Sequence, residues 1–284
     1  MAYTNDVAAL NPQNWSDMIQ ENLYKELVAM EVADLKFKSK LTSGTQVHFP
    51  IFGALTTTAY TKGDDVSVQA LDSTDEYLTV DQQWESSFYL DTIDQKQNLY
   101  SAMEAGVREA TDAIKQKIES IFFAQVANAY DTFDAGDIAG NPGDPIGLTT
   151  SNVVQVFSDM RAKLGKALTG KQAVAVVPYK VASVIEQKAI ASGFNVADAA
   201  FKNGYAGDFD GWKIYVSENL LNSNNRHHCY AGANKQISLA LQIAPTTQID
   251  NDPLKFGKIV KILEVFGVKT FTRQGERFLD LEIA

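Results

Sequence analysis

The triplet His227-His228-Cys229 is the one cluster of metal-capable side chains in the sequence. Imidazole and thiolate groups are common zinc ligands, and a structural zinc site takes about four of them. Adjacent residues in an extended segment point to opposite sides, however, and no fourth ligand stands at a useful spacing. We therefore expect a solvent loop at this position and no metal site.

A glycine- and aspartate-rich segment gives two weaker signals. Gly204, Gly207 and Gly211 precede a predicted strand instead of following one, and their spacing differs from the dinucleotide fingerprint. Asp208 and Asp210 suggest a calcium loop, but the regular series of oxygen ligands ending in a glutamate is missing. Both patterns are typical of turns.

Motifs for nucleophilic or phosphate chemistry are missing from the sequence. It contains no Gly-x-Ser-x-Gly elbow, no phosphate-binding loop and no His-Glu-x-x-His pair, and its three histidines leave few candidates for a general base. We expect no catalytic residue and no cofactor. An acid pair assembled by folding stays open, so a soluble α/β enzyme is kept as an alternative.

Composition narrows the class of protein further. The 284 residues are 45% hydrophobic and 21% charged, as in an ordinary globular protein, and the formal net charge of −10 argues against broad affinity for nucleic-acid backbone. Cys229 is the single cysteine, which excludes an intrachain disulfide. No apolar run reaches the length of a bilayer span and the N-terminus does not resemble a signal peptide, so we expect a cytoplasmic protein.

A long acidic hairpin is predicted for residues 45–94, which contain nine acidic side chains and one lysine. Its first arm, 45–53, alternates apolar and polar residues, and its second arm, 77–84, is rich in β-branched and aromatic residues. Gly63, Asp64 and Asp65 supply turn chemistry between the arms. A two-stranded ribbon is marginally stable alone, so it must lie on its own domain or on another chain.

Helical periodicity predicts an amphipathic helix over residues 12–31, after a loose tail, and a long helix from Asp94, as its cap, to about residue 129. The stretch 134–145 is dense in glycine, proline and aspartate and marks the best boundary. The remaining expected elements are two helices, from Ser151 to about 168 and over 179–190, and strands at 173–177, 213–217, 237–243 and from 255 onward, with turns at Gly267 and Gly275.

This order of elements resembles the major capsid proteins of tailed bacteriophages with the Hong Kong 97-type fold. The more specific pieces are Gly44-Thr-Gln-Val-His-Phe-Pro50, Gln95-Lys-Gln-Asn-Leu-Tyr100, Gly211-Trp-Lys-Ile-Tyr-Val-Ser217 and Phe256-Gly...Phe266-Gly-Val-Lys. The resemblance implies an α+β fold with an N-terminal arm (1–44), an extended β-hairpin loop (45–94), a β-rich peripheral domain with a long spine helix (95–134 and 250–284) and an α/β axial domain (135–249).

The resemblance also implies a function and its partners. We expect a structural protein that self-assembles as hexamers and pentamers into an icosahedral shell around double-stranded DNA, without sequence-specific binding, in the cytoplasm of a host bacterium. Portal and decoration proteins are further expected partners. Because only about ten residues precede the first predicted helix, a scaffold would be a separate protein or absent. An encapsulin-like bacterial shell is the alternative with the same fold.

Charge indicates which residues meet between subunits. Residues 255–277 contain six basic and two acidic residues, and residues 161–180 contain five basic and no acidic ones, so these faces can receive an acidic ribbon. Some family members cross-link covalently through a hairpin lysine, and Lys62 is the hairpin's single lysine. The predicted intersubunit contact residues are Lys62, Asp64, Asp65, Lys255, Lys258, Lys261, Arg273 and Arg277.

Overall fold

The computed structural model describes residues 27–36, 44–63, 65–97, 102–191, 205–224 and 226–284. The predicted tail and most of the predicted N-terminal helix lie outside these ranges. Near the end of that predicted helix the structure has a short helix, α1 (Ala29–Val32), followed by strand β1 (Ala33–Asp34).

The other helices and strands follow the predicted order along the chain. The helices are α2 (Thr92–Gln97), α3 (Ala102–Ala124), α4 (Val153–Leu164), α5 (Tyr179–Ala191) and α6 (Thr272–Gly275). The strands are β2 (Gln46–Phe52), β3 (Ser73–Thr79), β4 (Gln82–Asp91), β5 (Asp131–Phe133), β6 (Ala173–Val177), β7 (Tyr205–Phe209), β8 (Trp212–Val216), β9 (Leu221–Ser223), β10 (Arg226–Ala233), β11 (Ile237–Asn251), β12 (Gly257–Lys269) and β13 (Phe278–Ile283).

Within the described residues, a four-stranded sheet has the order β1-β11-β12-β4. Along β12, Val260, Ile262 and Phe266 alternate onto one face and are fully buried, whereas Lys261 and Leu263 on the other face are exposed. The long helix α3 packs on β4, β11 and β12 and provides this cover. At about 1.5 Å per residue, its 23 residues extend about 35 Å.

Close packing of α3 on the sheet depends on one glycine. A Cβ built on Gly106 would lie 2.7 Å from the ring of Phe88 on β4, which is closer than side chains tolerate. Glycine costs helix stability, so its place in α3 is explained by this approach of backbone to ring.

The second sheet has the order β5-β13-β10-β6-β8-β7, with β9 paired to β10, among the described residues. Strand β6 is buried along its whole length, as its uninterrupted apolar sequence predicts. Trp212 of β8 donates its indole N–H to the carbonyl of Phe157 in α4 at 3.2 Å, which fixes α4 against the sheet. Helix α5 contacts both α4 and β8.

The hairpin is confirmed, but its second arm, predicted for residues 77–84, lies earlier in the sequence, at Ser73–Thr79. Strands β2 and β3 pair from Gln46 with Thr79 to Phe52 with Ser73. Residues 82–84, predicted for the same arm, belong to β4 and the four-stranded sheet. The chain leaves the hairpin there because Leu78 and Val80 are buried in a small apolar cluster with residues of that sheet.

Two further local predictions are wrong. Gly267 is not a turn but lies inside β12, paired with Ala240, and a Cβ there would overlap the carbonyl oxygen of Thr79. The helix after the hairpin begins at Thr92 and is capped by Asp91 instead of Asp94, since Asp91 accepts a hydrogen bond from the Ile93 amide at 2.7 Å. Helices α2 and α3 cover the predicted long helix as far as Ala124, apart from residues 98–101 outside the described ranges, and a 3₁₀ helix follows over Gln125–Asn128.

The sheets do not divide at the predicted domain limits. Strand β11, from the predicted axial segment, pairs with β12, whereas β13, from the predicted peripheral segment, lies between β10 and β5. The domain limits themselves stay a prediction.

Candidate intersubunit surfaces

The tip of the hairpin, residues 53–72, is exposed wherever the structure describes it and carries no helix or strand. It nevertheless carries large apolar side chains, with Val68 89% and Val66 74% exposed. The other exposed large apolar residues of the tip are Leu55, Tyr60 and Leu71. A group of large exposed apolar side chains in one segment is typical of a protein interface.

A side-chain clamp holds the two halves of the tip together. Gln69 accepts a hydrogen bond from the Thr56 amide at 3.0 Å and donates one to the Thr56 carbonyl at 2.7 Å. The side-chain amide of Gln69 therefore makes the two hydrogen bonds that a paired backbone residue would make in a β-ladder. The ribbon stays closed about as far as Thr56, and residues 57–68 form its open end.

The base of the hairpin is fixed to its own chain. Thr272 at the start of α6 donates from its hydroxyl and its backbone amide to the carboxylate of Glu76 on β3, the first at 2.5 Å. Arg273 donates to the carbonyl of Phe52. Lys269 lies 4.9 Å from the centre of the Tyr77 ring. Arg273, predicted as an intersubunit residue, thus contacts its own hairpin.

The other predicted basic residues have different surroundings. Lys261 is paired with Asp250 on β11 at 3.0 Å, and this ion pair lowers the pKa of Asp250. Burial, with repulsion from Arg277 and Lys36, lowers the pKa of Lys171, which places Arg277 near another cation. Both arrangements leave the predicted contacts of Lys261 and Arg277 untested.

Lys255 and Lys258 line a cleft of about 610 Å³ where the loop between β11 and β12 faces α2. We call it the lysine cleft; its lining is Thr92, Gln95, Lys96, Asn251, Asp252, Lys255, Phe256, Gly257 and Lys258. Phe256 is 89% exposed at its rim, next to Leu254 at 91%. The structure therefore combines three lysines with exposed apolar side chains, a surface complementary in charge to the hairpin.

The predicted residues of the hairpin lie at its open end. Lys62 and Asp65 are exposed there, and Asp64 lies outside the described residues. The structure separates the predicted set into an acidic tip and basic positions on the four-stranded sheet and its following turn. Whether they meet between subunits stays a prediction.

Two buried glutamates were not singled out by sequence reasoning. Glu119 on α3 accepts hydrogen bonds from the amides of Val28 at 2.9 Å and Ala29 at 3.2 Å. Glu264 on β12 is 1% exposed, and neither of its carboxylate oxygens has a hydrogen-bond partner among the described residues. Burial raises the pKa of Glu264 to about 7, against the opposing effect of Lys115 on α3. A glutamate in the middle of a helix or strand normally lies on an exposed face, so the sequence pattern did not indicate that Glu119 and Glu264 are buried.

The prediction of a solvent loop at His227-His228-Cys229 is wrong, because these residues belong to β10 inside the seven-stranded sheet. Cys229 is fully buried. His228 lies opposite Glu282 of β13, and its Nδ1 is 2.7 Å from Oδ2 of Asp280. The two carboxylates follow more than fifty residues later, so no local spacing could reveal them.

The turn predicted around Asp208 is confirmed in part. Asp210 and Gly211, both with positive φ, connect β7 to β8. Gly207 instead lies in β7, next to a shift in strand register, and Gly204 is outside the described ranges. No helix in the described part of the chain is long and apolar enough to cross a membrane.

Comparison with known proteins identifies a family with this architecture. The family model described as "Phage capsid protein" matches residues 87–275, which run from the middle of β4 to the end of α6. No curated protein sequence matches the chain.

Many solved structures share the fold over nearly the whole chain. A chain of Mycobacterium phage Che8 has a TM-score of 0.73 at 22% identity, covering 96% of this chain and 97% of its own. The capsid of cyanophage P-SCSP1u gives 0.72 at 13% identity, with 99% and 95% covered. The capsid of a native GTA particle gives 0.67 at 13% identity, with both chains covered completely.

These likenesses confirm the predicted mixed fold of phage capsid proteins. The family match extends over well more than half of the chain, and it favours a structural role over an enzymatic one. The chain therefore belongs to the phage capsid protein family and is a structural protein of the capsid shell.

Proposed function

We propose that many copies of this chain self-assemble, as hexamers and pentamers, into an icosahedral shell that encloses the double-stranded DNA of a tailed phage. One observation carries the proposal: the hairpin tip presents large exposed apolar side chains that the described part of its own chain does not cover. A single copy leaves this surface in water, whereas a neighbouring copy would bury it.

The tip's partner is, in this proposal, the lysine cleft of an adjacent copy. The tip carries Asp65 with its neighbour Asp64, and the cleft carries Lys255 and Lys258. Complementary charge speeds encounter and sets register, while apolar side chains such as Val68 and Phe256 supply most of the affinity. Arg273 holds the base of the hairpin on its own chain, and the exposed tip is left for a neighbouring copy.

The predicted domains fit this division of labour. Residues 1–44 form an arm, 45–94 the extended hairpin, 95–134 with 250–284 the peripheral domain, and 135–249 the axial domain near the capsomer centre. Further partners in the proposal are a separate scaffolding protein, a portal, decoration proteins and packaged DNA held without sequence-specific contacts. Assembly takes place in the cytoplasm of the host bacterium.

Electron microscopy of the purified recombinant chain tests the proposal, with sizing chromatography beside it. We expect closed icosahedral particles that elute in the void volume, from the chain alone or with the phage's scaffolding protein. A discrete small oligomer under both conditions would contradict assembly. Particles loaded with a protein cargo, and no capacity for DNA, would instead support an encapsulin-like shell.

A double variant tests the role of the hairpin tip in assembly. Val66→Ser with Val68→Ser removes two exposed apolar side chains and leaves the chain's core intact, so thermal unfolding of the subunit should stay unchanged. Burial of one valine side chain contributes about 1.5 kcal/mol or more to the stability of an interface. Since a loss of about 1.4 kcal/mol weakens association tenfold, we expect the particle yield to fall at least tenfold. Normal particle yield would exclude the tip as an assembly element.

A further inference from the structure

Two neighbouring strands bring three potential metal ligands to one face of the seven-stranded sheet. His228 is on β10, and Asp280 and Glu282 are on β13, with His228 directly opposite Glu282 in the register. Positions two apart on a strand point to the same side, so all three side chains stand on one face. One ligand atom from each lies within 4.8 Å of the others.

Asp280 is buried, and one of its carboxylate oxygens lacks a hydrogen-bond partner among the described residues. Its side chain is 7% exposed, and its Oδ2 contacts Nδ1 of His228 while Oδ1 has no hydrogen-bond partner among the described residues. Buried carboxylate oxygens are nearly always satisfied.

We propose that His228, Asp280 and Glu282 form a binding site for a divalent transition-metal ion of the zinc type, linking β10 to β13. One imidazole and two carboxylates are ligands that Zn²⁺ accepts, and three protein ligands leave a position for water. Hard ions such as Mg²⁺ prefer oxygen ligands alone, so the histidine favours zinc.

The arrangement needs only a small adjustment to hold the ion. Zinc–ligand bonds of about 2.0–2.2 Å place tetrahedral ligand atoms about 3.4 Å apart, so the more distant ligand atoms must approach by roughly 1 Å and the 2.7 Å contact between His228 and Asp280 must open. Their position on paired strands of a sheet limits that movement to side-chain rotation. The imidazole nitrogen that binds the ion must be free of a proton, as metal binding to such ligands generally requires.

Arg226 is the competitor for this site. Its Nη1 lies 3.0 Å from Oε2 of Glu282, and a guanidinium there repels a divalent ion. Because the Arg226 side chain is 33% exposed, it can turn into solvent when the ion binds. Because Arg226 and the metal ion compete for Glu282, we expect removal of the Arg226 side chain to strengthen metal binding.

Isothermal titration of the chelator-treated full chain with Zn²⁺ tests the proposal, and Co²⁺ serves as the optical probe. We expect one ion per chain, a visible Co²⁺ band of low-symmetry coordination, and a higher thermal unfolding temperature with Zn²⁺. Asp280→Asn should weaken binding at least about tenfold with the fold intact by circular dichroism, and Arg226→Ala should tighten it.

His227→Ala is the matched control, because the neighbouring histidine points to the opposite face of β10 and should leave the affinity unchanged. The proposal fails if the wild-type chain shows no saturable binding of one ion at millimolar Zn²⁺. It fails equally if Asp280→Asn and His227→Ala bind like the wild type, which would place the ion elsewhere. If Asp280→Asn does not fold, Arg226→Ala gives the second test, and an affinity no tighter than that of the wild type would contradict a site beside Glu282.

Discussion

Glu119 in the long helix α3 accepts a hydrogen bond from the side-chain amide of Asn219 at 2.5 Å. Its other oxygen accepts the backbone amides of Val28 and Ala29, so one 2%-exposed carboxylate joins the N-terminal segment, α3 and the loop after β8. No part of this junction is close in sequence, and its three components belong to three predicted domains.

Exchange of the two polar partners tests the junction. Glu119→Gln turns an accepting oxygen into an N–H group that faces the Asn219 amide, and we expect it to lower the free energy of unfolding by about 2 kcal/mol. Asn219→Asp alone should also destabilise, since two carboxylates then meet. The double variant restores a donor and an acceptor, and chemical denaturation should show recovery of most of the loss; additive losses would contradict the interpretation.

Gly267→Ala should detach the hairpin from the sheet. A Cβ at Gly267 overlaps the backbone oxygen of Thr79, which a rotamer change cannot relieve. We expect a loss of about 1–3 kcal/mol, with faster hydrogen exchange in β3. Gly147→Ala is the matched control, because nothing lies within 4 Å of a Cβ there. Equal stability of the two variants would contradict the close contact.

Glu264 should make stability depend on pH. Its pKa is raised from 4.5 to about 7 in the fold, so the folded state binds the proton more tightly than the unfolded state. The folded state is therefore favoured below pH 4.5, and this advantage is lost as pH rises through 7. The full loss is about 3 kcal/mol.

The variant Glu264→Gln removes this titration. We expect the variant to be more stable than the wild type at pH 8 and about equal to it near pH 5, measured by denaturant unfolding at both values. Lys115→Met is an informative companion, because it removes the cation that opposes the raised pKa and should increase the pH dependence. A constant difference between wild type and Glu264→Gln across this range would exclude Glu264 as the titrating group.

Charge reversal tests the proposed contact between the tip and the lysine cleft. Asp64→Lys with Asp65→Lys should weaken assembly more than it weakens folding of the subunit, with the larger effect at low salt. Lys255→Glu with Lys258→Glu should weaken assembly in the same way. Particles should reappear when all four changes are combined. Particle yield at the wild-type level in the first variant would contradict the prediction.

Sequence patterns predicted the elements well where local periodicity determines them. Strand 173–177 was placed correctly because five consecutive apolar residues require burial on both faces, and the helix at 179–190 lacks only one residue of α5. The hairpin arm at 77–84 was misplaced because the positions of Leu78 and Val80 are determined by their burial in a tertiary apolar cluster, which local sequence does not report.

The surfaces were less predictable than the fold. The positive charge of residues 255–277 was visible, but Lys261 and Arg273 turn out to have partners in their own chain. The cluster around Asp280 depends on a contact between residues 52 positions apart, and the clamp between Gln69 and Thr56 depends on how the two halves of the hairpin tip face each other. Side-chain types alone do not report such contacts.

The position of β13 has a consequence for synthesis. This strand completes the sheet between β10 and β5, although it is made after every other strand described here. During translation β10 therefore keeps one edge unpaired on that side while the ribosome finishes residues 278–283. Open strand edges invite wrong pairing between nascent chains. Subunits with a finished sheet therefore exist only after this strand has emerged from the ribosome, which delays assembly-competent protein until then.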